Sequence, residues 1–206
     1  MRIFGMDMGV IEGIIILNLF VFILTLASPE YMYLNFSLIP AKILDHPWMP
    51  ITSMFIHAGF DHIFFNMWAL FLLGSYLERI LGEWKFLKVY FIGGLFSSFF
   101  SIFAAYIGLI SKNVSIVGAS GAVFAVAACL AILRPNIQIV VFPIPFPMPL
   151  FYAVFGYMLI MSFLPGISWT GHLGGLIAGA LFGLYYKRRK PEIYAYRGRY
   201  GYRFYY

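Results

Sequence analysis

Six long apolar stretches occupy most of this 206-residue chain. We place them at residues 10–28, 52–78, 87–109, 116–133, 150–164 and 170–186. A helix needs about 20 mostly apolar residues to cross the hydrocarbon core of a bilayer, so we interpret each stretch as a span. Only 11% of the residues are charged, whereas soluble domains carry roughly 25%. The sequence therefore predicts an all-α membrane protein, a six-transmembrane-helix bundle.

Two connections between these spans are rich in proline. Residues 29–51 carry many aromatic and aliphatic side chains, but three prolines interrupt them. This connection is too apolar for a free loop and too broken for a span, so we expect it to lie in the membrane interface. Residues 135–149 carry five prolines, four of them on alternate positions, which favours an extended path.

The distribution of Lys and Arg predicts the orientation. With a cytoplasmic N-terminus, twelve of the fourteen basic residues lie inside and only Lys42 and Lys112 lie outside. The positive-inside rule then places both termini in the cytoplasm. We expect a membrane domain at residues 1–186 and a basic, Tyr-rich cytoplasmic tail at 187–206. The net charge of +6 is explained by topology and attraction to anionic lipid, so no nucleic-acid partner is expected.

Hydrogen-bonding side chains lie near the outer ends of three predicted spans. Ser120 begins the fourth span, His172 begins the sixth, and His62 and Asn66 lie near the start of the second. Lipid offers these groups no partner, so they must bind other protein groups or face water. Their common depth predicts a water-filled cavity that opens to the outer face.

Small residues surround Ser120 and His172. The sixth span has glycines at 171, 175, 179 and 183, and the fourth offers Gly118, Gly121, Ala122 and Ala125. The simplest interpretation is that small residues let two helices pack closely. Close approach is also what a histidine needs to reach a serine hydroxyl on another helix, at about 2.6–3.2 Å.

Three motifs together resemble the rhomboid family of intramembrane serine proteases. They are Gly118-Ala119-Ser120-Gly121, Gly171-His172 and His57-x4-His62-x3-Asn66. Six spans with an apolar connection after the first are similar to the minimal form of that family, so the resemblance covers nearly the whole chain. It implies cleavage of transmembrane protein substrates in or near the outer end of their helices, and its compact form favours a plasma membrane. It implies no cofactor and no metal, and nothing in the sequence indicates an oligomeric state.

The resemblance also implies roles for single residues. Ser120 would be the nucleophile and His172 the general base, later the general acid. His62, Asn66 and the backbone N–H of Ser120 would form the oxyanion hole. The resemblance also implies supporting residues. Phe124 would place an aromatic ring against the imidazole, and His57 would be a structural histidine at the start of the second span. Four glycines would complete the site: Gly118, Gly121, Gly171 and Gly175.

The residues support this chemistry without the family name. A serine hydroxyl becomes nucleophilic when a base removes its proton, and an imidazole can take that proton and return it. No carboxylate lies on the sixth span to orient His172, so we expect a Ser–His dyad rather than a triad. Phe124 would hold the imidazole ring by packing instead.

Four other functions are compatible with parts of the sequence. A zinc site at His57 and His62 is disfavoured because no His-Glu-x-x-His occurs, and because two histidines five apart point away from each other on a helix. No paired aspartates lie deep within spans, as an aspartyl protease needs, and no inverted repeat indicates a transporter. The main alternative is a non-catalytic rhomboid-like factor that binds membrane proteins. Such relatives generally lack the serine or the histidine, and both are present here.

Overall fold

A computed structural model of the protein describes residues 9–188, together with the backbone of two short strand pairs. These pairs are Arg2–Ile3 with Met6–Asp7 and Tyr196–Arg197 with Arg203–Phe204. The side chain of Arg2 and, apart from the second strand pair, the tail beyond residue 188 lie outside the described residues, so the predictions for them stay predictions. Within residues 9–188 we number eight helices: α1 Val10–Ala27, α2 Pro29–Phe36, α3 Met49–Phe55, α4 Phe60–Leu81, α5 Glu83–Tyr106, α6 Ser120–Leu133, α7 Leu150–Met161 and α8 Trp169–Arg188.

The two proline-rich connections take up regular structure in short pieces. The first forms α2, a 3₁₀ turn at Pro40–Lys42 and the start of α3. The second forms a short antiparallel hairpin, in which Gln138–Ile139 pairs with Met148–Pro149. The extended path that its prolines predict is interrupted by a turn at Pro143. Pro29, Pro40 and Pro50 each occupy one of the first two positions of a helix, where proline leaves no hydrogen bond unmade.

The predicted second span differs from the structure at its beginning. α3 and α4 are separate helices bent by 95° at the break between Phe55 and Phe60. Residues 56–59 form that break, and Gly59 is extended (φ 178°, ψ 177°) immediately before α4. The apolar run that begins at residue 52 therefore belongs partly to α3 and to this turn, so its first residues do not lie on α4.

Helix length and composition bear on the number of spans. α1 and α5 are long and apolar enough to cross a membrane, and a third span is obtained if the bent pair α3–α4 is counted as one. α6 and α7 are apolar but shorter. α6 has 14 residues, and a rise of 1.5 Å per residue gives roughly 21 Å, less than the hydrocarbon thickness. The count of six spans therefore stays a prediction.

Helix α6 forms the centre of the fold. Every residue from Gly121 to Ala131 is buried, which is the pattern of a helix surrounded by protein on all sides. α5 and α8 pack directly against it. Because α6 begins with Ser120 and α8 contains His172, the packing of these helices sets where the two side chains lie.

The glycines of α8 permit this packing, as their spacing predicts. A Cβ added at Gly175 would meet the carbonyl oxygen of Gly121, and one added at Gly179 would meet that of Ala125. Gly171 instead faces α5, where an added Cβ would lie 3.4 Å from Ser97 Oγ. The two helix backbones are thus in direct contact, which small residues allow in membrane bundles.

The outer surface of the helices is strongly apolar. On α1, Phe20 is 57% exposed and Ile23 is 63% exposed, whereas Asn18 and Thr25 face inward. Large exposed hydrophobic side chains also occur on α4, α5 and α7. Because apolar patches of this extent are rare on soluble monomers, the surface indicates contact with lipid.

Candidate active site

Ser120 is the first residue of α6 and follows a turn that is fixed at several points. Gly118 has a positive φ of 114°, which only glycine adopts easily. Its N–H donates to Ser53 O at 2.9 Å. The N–H of Ala119 donates to His57 Nε2 at 3.4 Å. These contacts orient the serine that follows.

Gly118 also leaves room for His62. A Cβ added at Gly118 would lie 2.6 Å from His62 Nε2 and 3.7 Å from Ser120 Oγ. A side chain at residue 118 would therefore displace the imidazole and strain the backbone. Glycine at this position brings Nε2 of His62 close to the serine.

His62 and Asn66 lie one turn apart on α4. The N–H of Ala58 donates to His62 Nδ1 at 3.2 Å. Because Nδ1 accepts this bond, the neutral ring carries its proton on Nε2, the nitrogen nearest Gly118. Asn66 Nδ2 donates to His62 O at 2.7 Å, which leaves its second N–H available. Both side chains can therefore donate hydrogen bonds.

His57 does not lie on α4, and one prediction about it is wrong. His57 and His62 would point away from each other only on one continuous helix. His57 instead lies in the turn at 56–59, and the two rings approach to 5.0 Å between centroids. His57 Nδ1 bonds Phe55 O at 3.2 Å while its Nε2 accepts from Ala119. The ring thus links α3 to the turn before Ser120.

His172 lies in the first turn of α8, and two contacts fix its ring. The imidazole stacks on Phe124, with 4.0 Å between centroids and 13° between planes. Its Nδ1 lies 2.8 Å from Ser162 Oγ. The residue is 9% exposed. The stack on Phe124 is the packing that the sequence predicts, whereas the contact with Ser162 is not predicted by any motif.

The predicted polar side chains line one cavity of about 450 Å³. Ser120 and Phe124 come from α6, His172 from α8, and His62 and Asn66 from α4. Among the hydrogen bonds of residues 9–188, none joins Ser120 directly to His172. In free enzymes such bonds are often long and shorten when substrate binds. His57, Gly121, Gly171 and Gly175 lie outside the lining of this cavity.

A second, smaller polar cavity of about 20 Å³ also borders Ser120. Its walls include the hydroxyls of Ser97 and Ser101 on α5, which the sequence analysis missed. Ser97 Oγ donates to Gly171 O at 2.6 Å, and Ser101 Oγ lies 2.9 Å from Thr170 Oγ1. These bonds fix the start of α8 next to His172. The space is sufficient for about one water molecule.

The described residues offer no cluster of metal ligands. Within the part of the chain that the structure describes, no three His, Cys, Asp or Glu side chains come together. Both ring nitrogens of His57 are engaged by protein groups.

Comparison with known proteins identifies the family. A model described as the Rhomboid domain matches residues 45–189, well over half of the chain. The chain belongs to the rhomboid family. Together with the apolar helices, this makes the rhomboid chain an integral membrane protein.

Several curated relatives of this rhomboid chain are named as proteases, and one is named inactive. Rhomboid protein 1, mitochondrial, of Saccharomyces cerevisiae is 29% identical over 170 residues, 76% of this chain and 45% of that protein. Rhomboid protease AarA of Providencia stuartii is 31% identical over 159 residues, 68% of this chain and 56% of that protein. Inactive RHOMBOID-like protein 8 of Arabidopsis thaliana is 28% identical over 132 residues, 64% of this chain and 36% of that protein. The chain thus spans about half the length, or less, of these relatives.

Proposed function

We propose that this rhomboid chain is an intramembrane serine protease. It hydrolyses peptide bonds in or near the outer end of substrate transmembrane helices, through a dyad of Ser120 and His172. The observation that carries the proposal is the shared cavity, into which three helices bring a hydroxyl, two imidazoles and an amide. Relatives that are named as rhomboid proteases support the same reaction class.

The first step forms a covalent acyl-enzyme. Nε2 of His172 takes the proton of the Ser120 hydroxyl while Oγ bonds to the carbonyl carbon of the substrate. The carbonyl π electrons move onto oxygen and give a tetrahedral oxyanion. The C–N bond then breaks, and the imidazolium returns its proton to the leaving amine.

Three N–H groups are available for the oxyanion. The Ser120 N–H belongs to the first turn of α6, where N–H groups have no partner within the helix and the helix dipole favours negative charge. His62 offers Nε2–H because its Nδ1 accepts from Ala58. Asn66 offers the N–H that it does not donate to His62 O. Such preorganised donors stabilise the transition state more than the substrate.

Hydrolysis of the acyl-enzyme requires water at the same place. His172 takes a proton from that water, the resulting hydroxide attacks the ester carbon, and Ser120 Oγ leaves with the proton that the imidazolium returns. The cavity of about 450 Å³ has room for a peptide segment beside Ser120 and His172, and the smaller polar cavity of about 20 Å³ that also borders Ser120 has room for about one water molecule.

A dyad fits the surroundings of His172 better than a triad. Its Nδ1 is bonded to a serine hydroxyl rather than to a carboxylate. Asp61 also lines the cavity, but it lies at the start of α4 and is exposed to solvent. The imidazole is therefore held by stacking on Phe124 and by a neutral hydrogen bond.

We also propose a membrane topology. Six spans place both termini in the cytoplasm of a plasma membrane and open the active site to the outer face. Residues 1–186 form the membrane domain, and residues 187–206 form a basic tail that contacts anionic lipid. Substrates are transmembrane proteins whose helices unwind at the cut, so Gly or Pro near that position favours cleavage.

A non-catalytic rhomboid-like binding factor is the second candidate. One relative is named inactive. Against it stands the presence of both Ser120 and His172 beside one cavity. Catalysis requires a hydroxyl and a base in the same place, whereas binding alone does not.

Reconstitution in liposomes separates the two functions. We expect the wild-type protein to cleave a reporter whose transmembrane helix carries Gly or Pro near its outer end, at a bond that mass spectrometry then identifies. A matched reporter with an uninterrupted leucine helix is expected to be cleaved more slowly. Reporters that cross-link to the protein and remain intact across the whole set would favour the binding factor.

Replacing Asn66 with alanine tests the oxyanion donors. We expect kcat to fall roughly 10²–10³-fold with KM little changed, because the lost donor acts mainly on the transition state. The matched control is Asn35→Ala on α2, whose Nδ2 also donates to the carbonyl four residues earlier, Tyr31 O, at 2.9 Å. Equal cleavage rates for Asn66→Ala and wild type would remove Asn66 from the oxyanion hole.

A further inference from the structure

The hydrogen bonds of Ser162 define the state of the His172 ring. Ser162 directly follows α7, is 1% exposed, and its Oγ lies 2.8 Å from His172 Nδ1. The same Oγ donates to Met158 O, also at 2.8 Å. A hydroxyl has one proton. Since Met158 O takes that proton, Ser162 Oγ is the acceptor in the contact with His172, and Nδ1 is the donor.

We infer that Ser162 is a positioning residue that holds His172 in the tautomer needed by a general base. This inference rests on the proposed function. With the proton on Nδ1, the lone pair lies on Nε2, where the Ser120 proton must go. The opposite tautomer, with the proton on Nε2, has no lone pair for Ser120. A serine hydroxyl thus fills the orienting role that a carboxylate has in a triad.

The bond between Ser162 and His172 strengthens as the reaction proceeds. When Nε2 accepts the Ser120 proton, the ring becomes an imidazolium, and its Nδ1–H donates a charge-assisted hydrogen bond to Ser162 Oγ. The Met158 carbonyl polarises the Ser162 hydroxyl in the same direction, so the two hydrogen bonds reinforce each other. Ser162 therefore stabilises the transition state more than the free enzyme, and its loss should appear in kcat.

The kinetic test compares three variants in liposomes. For Ser162→Ala we expect kcat to fall roughly 10–100-fold with KM unchanged. This loss is smaller than that of removing a general base, because His172 itself remains. Ser162→Thr keeps the hydroxyl and is expected to recover most of the lost kcat. The matched control is Ser37→Ala: Ser37 is also buried and donates to the carbonyl four residues earlier, Tyr33 O, but among the hydrogen bonds of residues 9–188 none joins it to a histidine.

The spectroscopic test does not depend on activity. Imidazole ¹⁵N shifts of histidine-labelled protein report which nitrogen carries the proton, and a His172→Gln spectrum assigns His172 among the four histidines. We expect Nδ1–H in the wild type and a mixture of tautomers in Ser162→Ala. An Nε2–H wild type, or a Ser162→Ala variant with wild-type kcat and tautomer, would overturn the inference. A wild type that cleaves no reporter would instead end the proposed function, and the ¹⁵N shifts would still decide the role of Ser162.

Discussion

Cleavage of a membrane-helix reporter is expected to disappear when Ser120 is replaced by alanine. Without the hydroxyl no acyl-enzyme forms, and the remaining donors act only on direct attack by water. We expect the rate to fall roughly 10⁴-fold or more. The fold should survive, because Ser120 is the first residue of α6 and its side chain lies at the cavity rather than in the packed core.

The measurement is reporter cleavage by matched amounts of wild type and Ser120→Ala in the same liposomes. A control for the fold is Ser37→Ala, which removes another buried hydroxyl, bonded to Tyr33 O and outside the lining of both cavities. That variant should retain cleavage. Cleavage of the same bond by Ser120→Ala would show that a different group is the nucleophile.

Replacing Gly179 with leucine is expected to cause the largest loss of stability. A side chain at this position would meet the backbone of Ala125, including its carbonyl oxygen, so α6 and α8 would have to separate. Overpacking typically costs 1–3 kcal/mol of stability. Because the obstacle here is backbone, we expect the free energy of unfolding to fall by about 3 kcal/mol. For a protein of this size that corresponds to a fall in Tm of roughly 10 °C. Cleavage should also fall, because Ser120 and His172 belong to the two separated helices.

The single cysteine gives a direct readout of this unfolding. Cys129 lies on α6 and is 0% exposed, so a thiol-reactive dye reports when α6 leaves its packed environment. The control is Gly13→Leu on α1, where an added Cβ meets nothing within 4 Å. We expect labelling at lower temperature for Gly179→Leu and an unchanged profile for Gly13→Leu. Identical profiles for the two variants would contradict the described contact between α6 and α8.

Much of the architecture could be predicted from apolar runs and small residues. The helical class follows from the apolar segments, because in lipid a single segment can make all its backbone hydrogen bonds only as a helix. The glycines at 175 and 179 predicted contact with α6, because their spacing gives one smooth helix face. The break at 56–59 could not be predicted, since Phe55 and Phe60 border it and hydropathy does not distinguish a turn from a helix.

The candidate site was predictable where polar residues stand alone in apolar surroundings. Ser120, His172, His62 and Asn66 were selected because lipid offers them no partner, and the structure places all four beside one cavity. Ser162 was missed because a single serine at the end of an apolar run is most often bonded to its own helix. Its contact with His172 depends on how α7 packs against α8, which no local pattern encodes. Ser97 and Ser101 did carry a signal, as their spacing of four places both hydroxyls on one face.

The most direct test of the central claim is labelling with a fluorophosphonate, followed by mass spectrometry of the adduct. Such a reagent reacts with a serine only when a base activates its hydroxyl. The account predicts a single modified residue, Ser120, and loss of that modification in His172→Ala while Ser37→Ala labels as wild type does. An adduct on another serine, or equal labelling of Ser120 in the absence of His172, would contradict the account.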